Sequence, residues 1–150
     1  MNHSSLESVL QDIGHSAEQL LCCLQNELKI LNDKQYESLM MIAQEKQKLV
    51  EHLDLLDNQR KQFDSRKNFS DYLLQQDTSG KLVRQWDSIR NTIKKCQQQN
   101  IVNGRLLQRY HRLSQETISM LSGRPANTDT TYGPNGLKLG QSSLISDTRA

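Results

Sequence analysis

Residues 4–31 read SSLESVLQDIGHSAEQLLCCLQNELKIL, and the spacing of their apolar side chains decides the fold. Leu6, Leu10, Ile13, Ala17, Leu20 and Leu24 follow one another at steps of four, three, four, three and four. Such a repeat puts one apolar stripe on a helix and seats it against a second helix. Leu28 and Leu31 extend the stripe, one step out of phase. Ser4 or Ser5 is placed to cap this helix, and Glu7 puts negative charge in its first turn.

The run Asn32-Asp33-Lys34-Gln35 reads as a tight corner, with Gln35 three residues after Asn32 in capping-box register. A second helix follows, carrying Tyr36, Leu39, Met40, Ala43, Val50, Leu53 and Leu56 on its packed face and ending near Phe63. Lys46 interrupts that face, where its stem would cover the stripe while its amine reaches water. So short a link between two long helices makes an antiparallel hairpin. In residues 64–79, Phe69, Tyr72, Leu73 and Leu74 suit a turn or two of helix over the end of a bundle. Asp77-Thr78-Ser79-Gly80 then stops the chain and restarts it.

The third helix is expected over Lys81–Ser122, ~60 Å long at 1.5 Å per residue. Its stripe is Leu82, Trp86, Ile89, Ile93, Cys96, Asn100, Asn103, Leu107, Tyr110, Ser114, Ile118 and Leu121, with Gly123 as the stop and Pro125 just beyond. The fold class is therefore all-α. It is an elongated antiparallel hairpin plus a long third helix, with a helical domain over residues 1–122. Residues 123–150 change character to Gly, Pro, Ser, Thr, Asn and Asp, and read as a disordered C-terminal tail.

The whole composition agrees. Hydrophobic residues make up 35% and aromatics 5% of the 150 residues, which suits long amphipathic helices with wide solvated faces. That length fits one domain. No basic region leads into an apolar run at the start, and nowhere do ~18 apolar residues run together, so no secretory or membrane-spanning segment is expected. Three cysteines, Cys22, Cys23 and Cys96, make no disulfide framework and point to a cytoplasmic location.

Signals for chemistry are weak. His3, His15, His52 and His111 stand in no convincing metal spacing, and His15 with Cys22 is only a lone pair of possible ligands. No phosphate-binding glycine loop or nucleophile elbow occurs, so neither a cofactor nor an enzyme activity is expected. The charge is uneven: residues 1–63 carry a net −4 and residues 80–124 a net +7. Lys81, Arg84, Arg90, Lys94, Lys95, Arg105, Arg109 and Arg112 are spaced around one helix, with only Trp86 and Tyr110 to stack on bases. A solvated face balancing the acidic hairpin explains them better than a nucleic-acid surface, which stands as an alternative.

The informative feature lies beyond Ile101. Val102, Leu106, Leu113 and Met120 form a second stripe within ~40° of arc at 100° per residue. Leu107, Ile118 and Leu121 widen the apolar arc to ~160°. The third helix outruns its ~30-residue partners by about a dozen residues, or ~18 Å. An apolar helix end without a neighbour is either a self-association surface or a client groove. Asn100 and Asn103 on the packed stripe would set helix register, and Gly104 would admit a close neighbouring backbone.

At these residues the chain resembles the FlgN family of flagellar export chaperones, over almost its whole length. The resemblance begins with Glu27, Leu31, Asp33, Leu39, Lys46, Leu49 and Leu53. Its most specific elements are Asn100-Ile101-Val102-Asn103-Gly104-Arg105-Leu106-Leu107 and Thr131-Tyr132-Gly133-Pro134-Asn135-Gly136. It implies a cytoplasmic, non-enzymatic chaperone of type III flagellar secretion. Such a chaperone binds the C-terminal helical regions of the hook-associated proteins FlgK and FlgL, prevents their early association and delivers them to the export gate. Carried onto this chain, client binding falls on Val102, Leu106, Leu113, Ile118 and Met120, and docking on the gate protein FlhA falls on Tyr132. A structural coiled-coil adaptor built from the same helices is the alternative.

Overall fold

A computed structural model describes residues 3–65 and 67–123. Four α-helices and one short 3-10 turn account for nearly all of them. They are α1 (His3–Asn32), the turn Tyr36–Ser38, α2 (Leu39–Phe63), α3 (Phe69–Gln76) and α4 (Lys81–Ser122). No strand occurs among the described residues. The fold is an all-α bundle. The expected tail, with Tyr132, lies outside the described residues.

The heptad stripe of α1 does what its spacing requires. Leu6, Leu10, Ile13, Ala17, Leu20, Leu24 and Leu31 are all buried, while Leu28 is only half-buried. α1 is the central helix, packing along both α2 and α4. Its start differs from the expectation. The helix already includes His3, so Ser4 and Ser5 are helical residues rather than caps, and its first turn holds no acidic residue. Glu7 instead pairs with Lys81 at the start of α4.

The corner after α1 is also built differently. The Gln35 amide donates to the Ile30 carbonyl at 3.0 Å and the Lys34 amide to that of Leu31 at 3.3 Å, with Lys34 in the left-handed region at φ 55°. That is a Schellman closure, which satisfies the last carbonyls of α1 by backbone alone. No Asn32–Gln35 capping box forms, and α2 begins at Leu39 without a side-chain cap. The intervening 3-10 turn shifts the phase of α2. As a result Met40 and Met41 are exposed, while Ile42, Val50, Leu53 and Leu56 are buried.

α1 and α4 run parallel, as their contacts advance together along both helices. Glu7 meets Lys81, Cys96 reaches the Ala17 carbonyl, and Asn103 reaches that of Leu24. α3 closes one end of the bundle. Its Phe69 and Leu73 are buried, and the Phe69 ring meets the Trp86 ring edge-on at 5.1 Å. The Arg60 guanidinium lies over both rings, 4.6 and 5.0 Å from their centres, and is held by Asp57 at 2.8 Å. Leu74 faces outward. Asp77 organises the restart: its carboxylate accepts from the Ser79 hydroxyl and from the amides of Ser79 and Leu82, which holds its pKa below the usual value.

Candidate functional site

Two features meet on α4: a buried polar junction and an unpaired apolar end. The junction lies where three helices converge. Lys46 of α2, with only 2% of its surface exposed, donates from Nζ to Glu27 Oε1 of α1 at 2.8 Å. The other carboxylate oxygen of Glu27 accepts from Asn103 Nδ2 of α4, also at 2.8 Å. The second amide hydrogen of Asn103 goes to the Leu24 carbonyl at 2.8 Å, and its oxygen accepts from Gln99 at 2.9 Å. Asn100 Oδ1 stands 3.5 Å from Lys46 Nζ.

Burying such an ion pair costs desolvation that only good geometry and further hydrogen bonds offset. Here both carboxylate oxygens and both amide hydrogens are used. The set tolerates one register of the three helices, because a shift of α4 by one residue would leave Glu27 without its amide partner. The expectation that the Lys46 amine reaches water is corrected: an acidic partner on α1 draws it inside. Gly104 is corrected too. A side-chain carbon placed on it would meet nothing within 4 Å, so no close helix approach depends on it.

Past the junction, burial on α4 ends. Asn103 is its last buried residue. Leu106 and Leu107 are half-buried, and Tyr110 stacks on Tyr36 with ring centres 3.7 Å apart, closing the bundle at the hairpin corner. The following dozen residues extend ~18 Å further. Along this end Leu113, Ile118, Met120 and Leu121 are exposed, from 48% to 84%, and Val102, just before the junction, is 45% exposed. Of the proposed stripe, only Leu106 has substantial cover.

Other sites offer little chemistry. Cys23 and Cys96 are buried free thiols, each pushed up to about 12, Cys23 by burial and the nearby carboxylates of Glu45 and Glu27, Cys96 by burial. Such thiols are poor nucleophiles. Among the described residues no three His, Cys, Asp or Glu side chains gather as a metal site, and no helix is long and apolar enough to cross a membrane. A shallow groove between α1 and α4 is lined by Asp12, His15, Glu18, Gln85 and Ser88 over Leu10, Gly14 and Ile89. At its floor the close α1–α4 contact is at Gly14, where an added side-chain carbon would stand 3.4 Å from Ile89.

A family model described as FlgN protein matches residues 1–140. The chain belongs to the FlgN family. This is a family of flagellar export chaperones, non-enzymatic proteins that bind flagellar export substrates. The match spans both the polar junction and the free end of α4. No curated protein and no solved structure matched the chain.

Sequence reasoning missed Glu27, Asp57 and Arg60 as buried residues. Each had a signal. Glu27 continues the four-three spacing of α1 between Leu24 and Leu31, and Asp57 and Arg60 continue the Val50–Leu53 spacing of α2.

Proposed function

We propose that this FlgN-family chain is a cytoplasmic chaperone for the hook–filament junction proteins FlgK and FlgL. It binds their C-terminal helical regions, prevents their premature association, and delivers them to the export gate protein FlhA. Val102, Leu106, Leu113, Ile118 and Met120 form the client surface, and Tyr132 is the anchor for gate docking. One observation carries this reading: α4 buries nothing past Asn103, yet its free end presents a row of exposed apolar side chains. An amphipathic client helix laid along it would cover those side chains and hide its own apolar face, which is how a chaperone suppresses early association.

The test is one titration series with wild-type, Leu113→Asp and Tyr132→Ala chains. Each is titrated with the C-terminal segments of FlgK and FlgL, and the resulting complexes with the cytoplasmic part of FlhA. Leu113→Asp is expected to abolish client binding with the far-ultraviolet circular dichroism unchanged, because Leu113 is about half exposed. Tyr132→Ala is expected to leave client binding intact and to weaken gate binding at least tenfold, roughly the loss of one aromatic anchor. A folded Leu113→Asp chain that binds both clients normally overturns the client surface. Equal gate affinities make Tyr132 a passenger.

A further inference from the structure

The apolar stripe on the free end of α4 has a charged border on one side only. At 100° per residue, Arg105, Arg109 and Arg112 fall within ~60° of arc with Glu116 among them, a net positive border, and the nearest arginine lies ~20° from the line through Val102 and Met120. The opposite border carries Tyr110, Ser114 and Thr117, which are uncharged. All three arginines are exposed. Arg112 has one distant acidic neighbour, Glu116 at 3.9 Å, on the same helix, and no ion pair is formed by Arg105 or Arg109 with the described residues. The acidic half of the chain does not supply one. Among the described residues three of its carboxylates pair elsewhere, Glu7 with Lys81, Glu27 with Lys46, and Asp57 with Arg60 and Lys61, and none pairs with these arginines.

We infer that Arg105, Arg109 and Arg112 select the partner of this surface, and that the partner is an amphipathic helix with an acidic row along one edge of its apolar face. This rests on the reading of the stripe as a helix seat and adds the chemistry of what sits there. Three arginines at steps of four and three match acidic side chains at the same helical steps on a helix lying alongside. Charge also argues against a second copy of this chain as the occupant. Paired antiparallel through the stripe, two copies would set arginine row against arginine row. Paired parallel, each row would face the uncharged border. An acidic edge alone gives the row a counterpart, and it orients the partner, since rotating it half a turn about the contact would move that edge away.

The test uses the full chain and two synthetic helical peptides with identical apolar positions, one with three Glu along a single edge and the other with Lys there. The Glu peptide is expected to bind more tightly by roughly tenfold or more at ~0.05 M salt, with the preference shrinking at ~0.5 M. Combined Arg105→Gln, Arg109→Gln and Arg112→Gln should erase the preference while both peptides still bind through the apolar stripe. Equal affinities of the wild-type chain for both peptides would overturn the selection and leave the seat standing. If neither peptide binds while FlgK or FlgL segments do so through Leu113, the acidic-edge rule is wrong. If nothing binds through Leu113, the seat falls with it.

Discussion

The two halves of α4 have one continuous backbone and different surroundings. From Lys81 to Asn103 the helix buries Leu82, Trp86, Ile89, Ile93, Cys96 and the Asn103 amide against α1 and α3. From Gly104 to Ser122 it buries no residue, although Leu106, Leu107, Leu113, Ile118, Met120 and Leu121 make it no less apolar. Apolar spacing alone therefore does not distinguish a buried face from an exposed one. What separates them is whether another helix of the chain is long enough to reach, and α1 ends at Asn32, close to where Tyr36 stacks on Tyr110. The Lys46–Glu27–Asn103 junction sits just inside that boundary and links the three helices by hydrogen bonds.

Paired truncations sharpen this contrast most strongly. Trp86→Ala removes a large side chain that is 5% exposed and in contact with Phe69 and Arg60. It is expected to cost about 3–5 kcal/mol of stability in urea unfolding. Ile118→Ala, at a position 64% exposed, should stay within about 0.5 kcal/mol. Comparable losses at both positions would mean that the end of α4 is packed, and the distinction between the halves would fail. A smaller effect of opposite sign is expected at the boundary. Gly104 lies mid-helix with open space around it, so Gly104→Ala should stabilise the chain by about 0.5–1 kcal/mol through helix propensity. A drop in the unfolding midpoint would restore the view that a neighbouring element needs the glycine.

Much of this was legible in the sequence. The limits of α4, Lys81 and Ser122 with Gly123 beyond, follow from the Asp77–Gly80 breaker and the left-handed stop, and Gly123 indeed stands at φ 66°. The hairpin and its core leucines follow from the four-three spacing. The corner was not legible, because a Schellman closure uses backbone groups and here puts Lys34, a residue without left-handed preference, at the turn. The phase of α2 was obscured because Leu39, Met40, Met41, Ile42 and Ala43 are all apolar, so composition alone does not choose the buried side. The polar junction was legible only in part: Lys46, Asn100 and Asn103 lie on the traced stripes, but Glu27 escaped because the α1 stripe was traced through apolar residues only. A glutamate on one stripe and a lysine on the facing one were its signal. The exposed end of α4 was legible from helix lengths, whereas the arginine border needed the structure to separate free charges from paired ones.

Amide hydrogen exchange along α4 tests the central claim most directly. In the free chain, amides from Ile89 to Asn103 should be protected, and those from His111 to Ser122 should exchange faster by roughly two orders of magnitude, as expected where local opening exposes no core. Adding a C-terminal segment of FlgK or FlgL should slow exchange from His111 to Ser122 and leave the first half unchanged. Uniform protection along α4 in the free chain, or no change at residues 111–122 when the client segment is bound, would contradict the account.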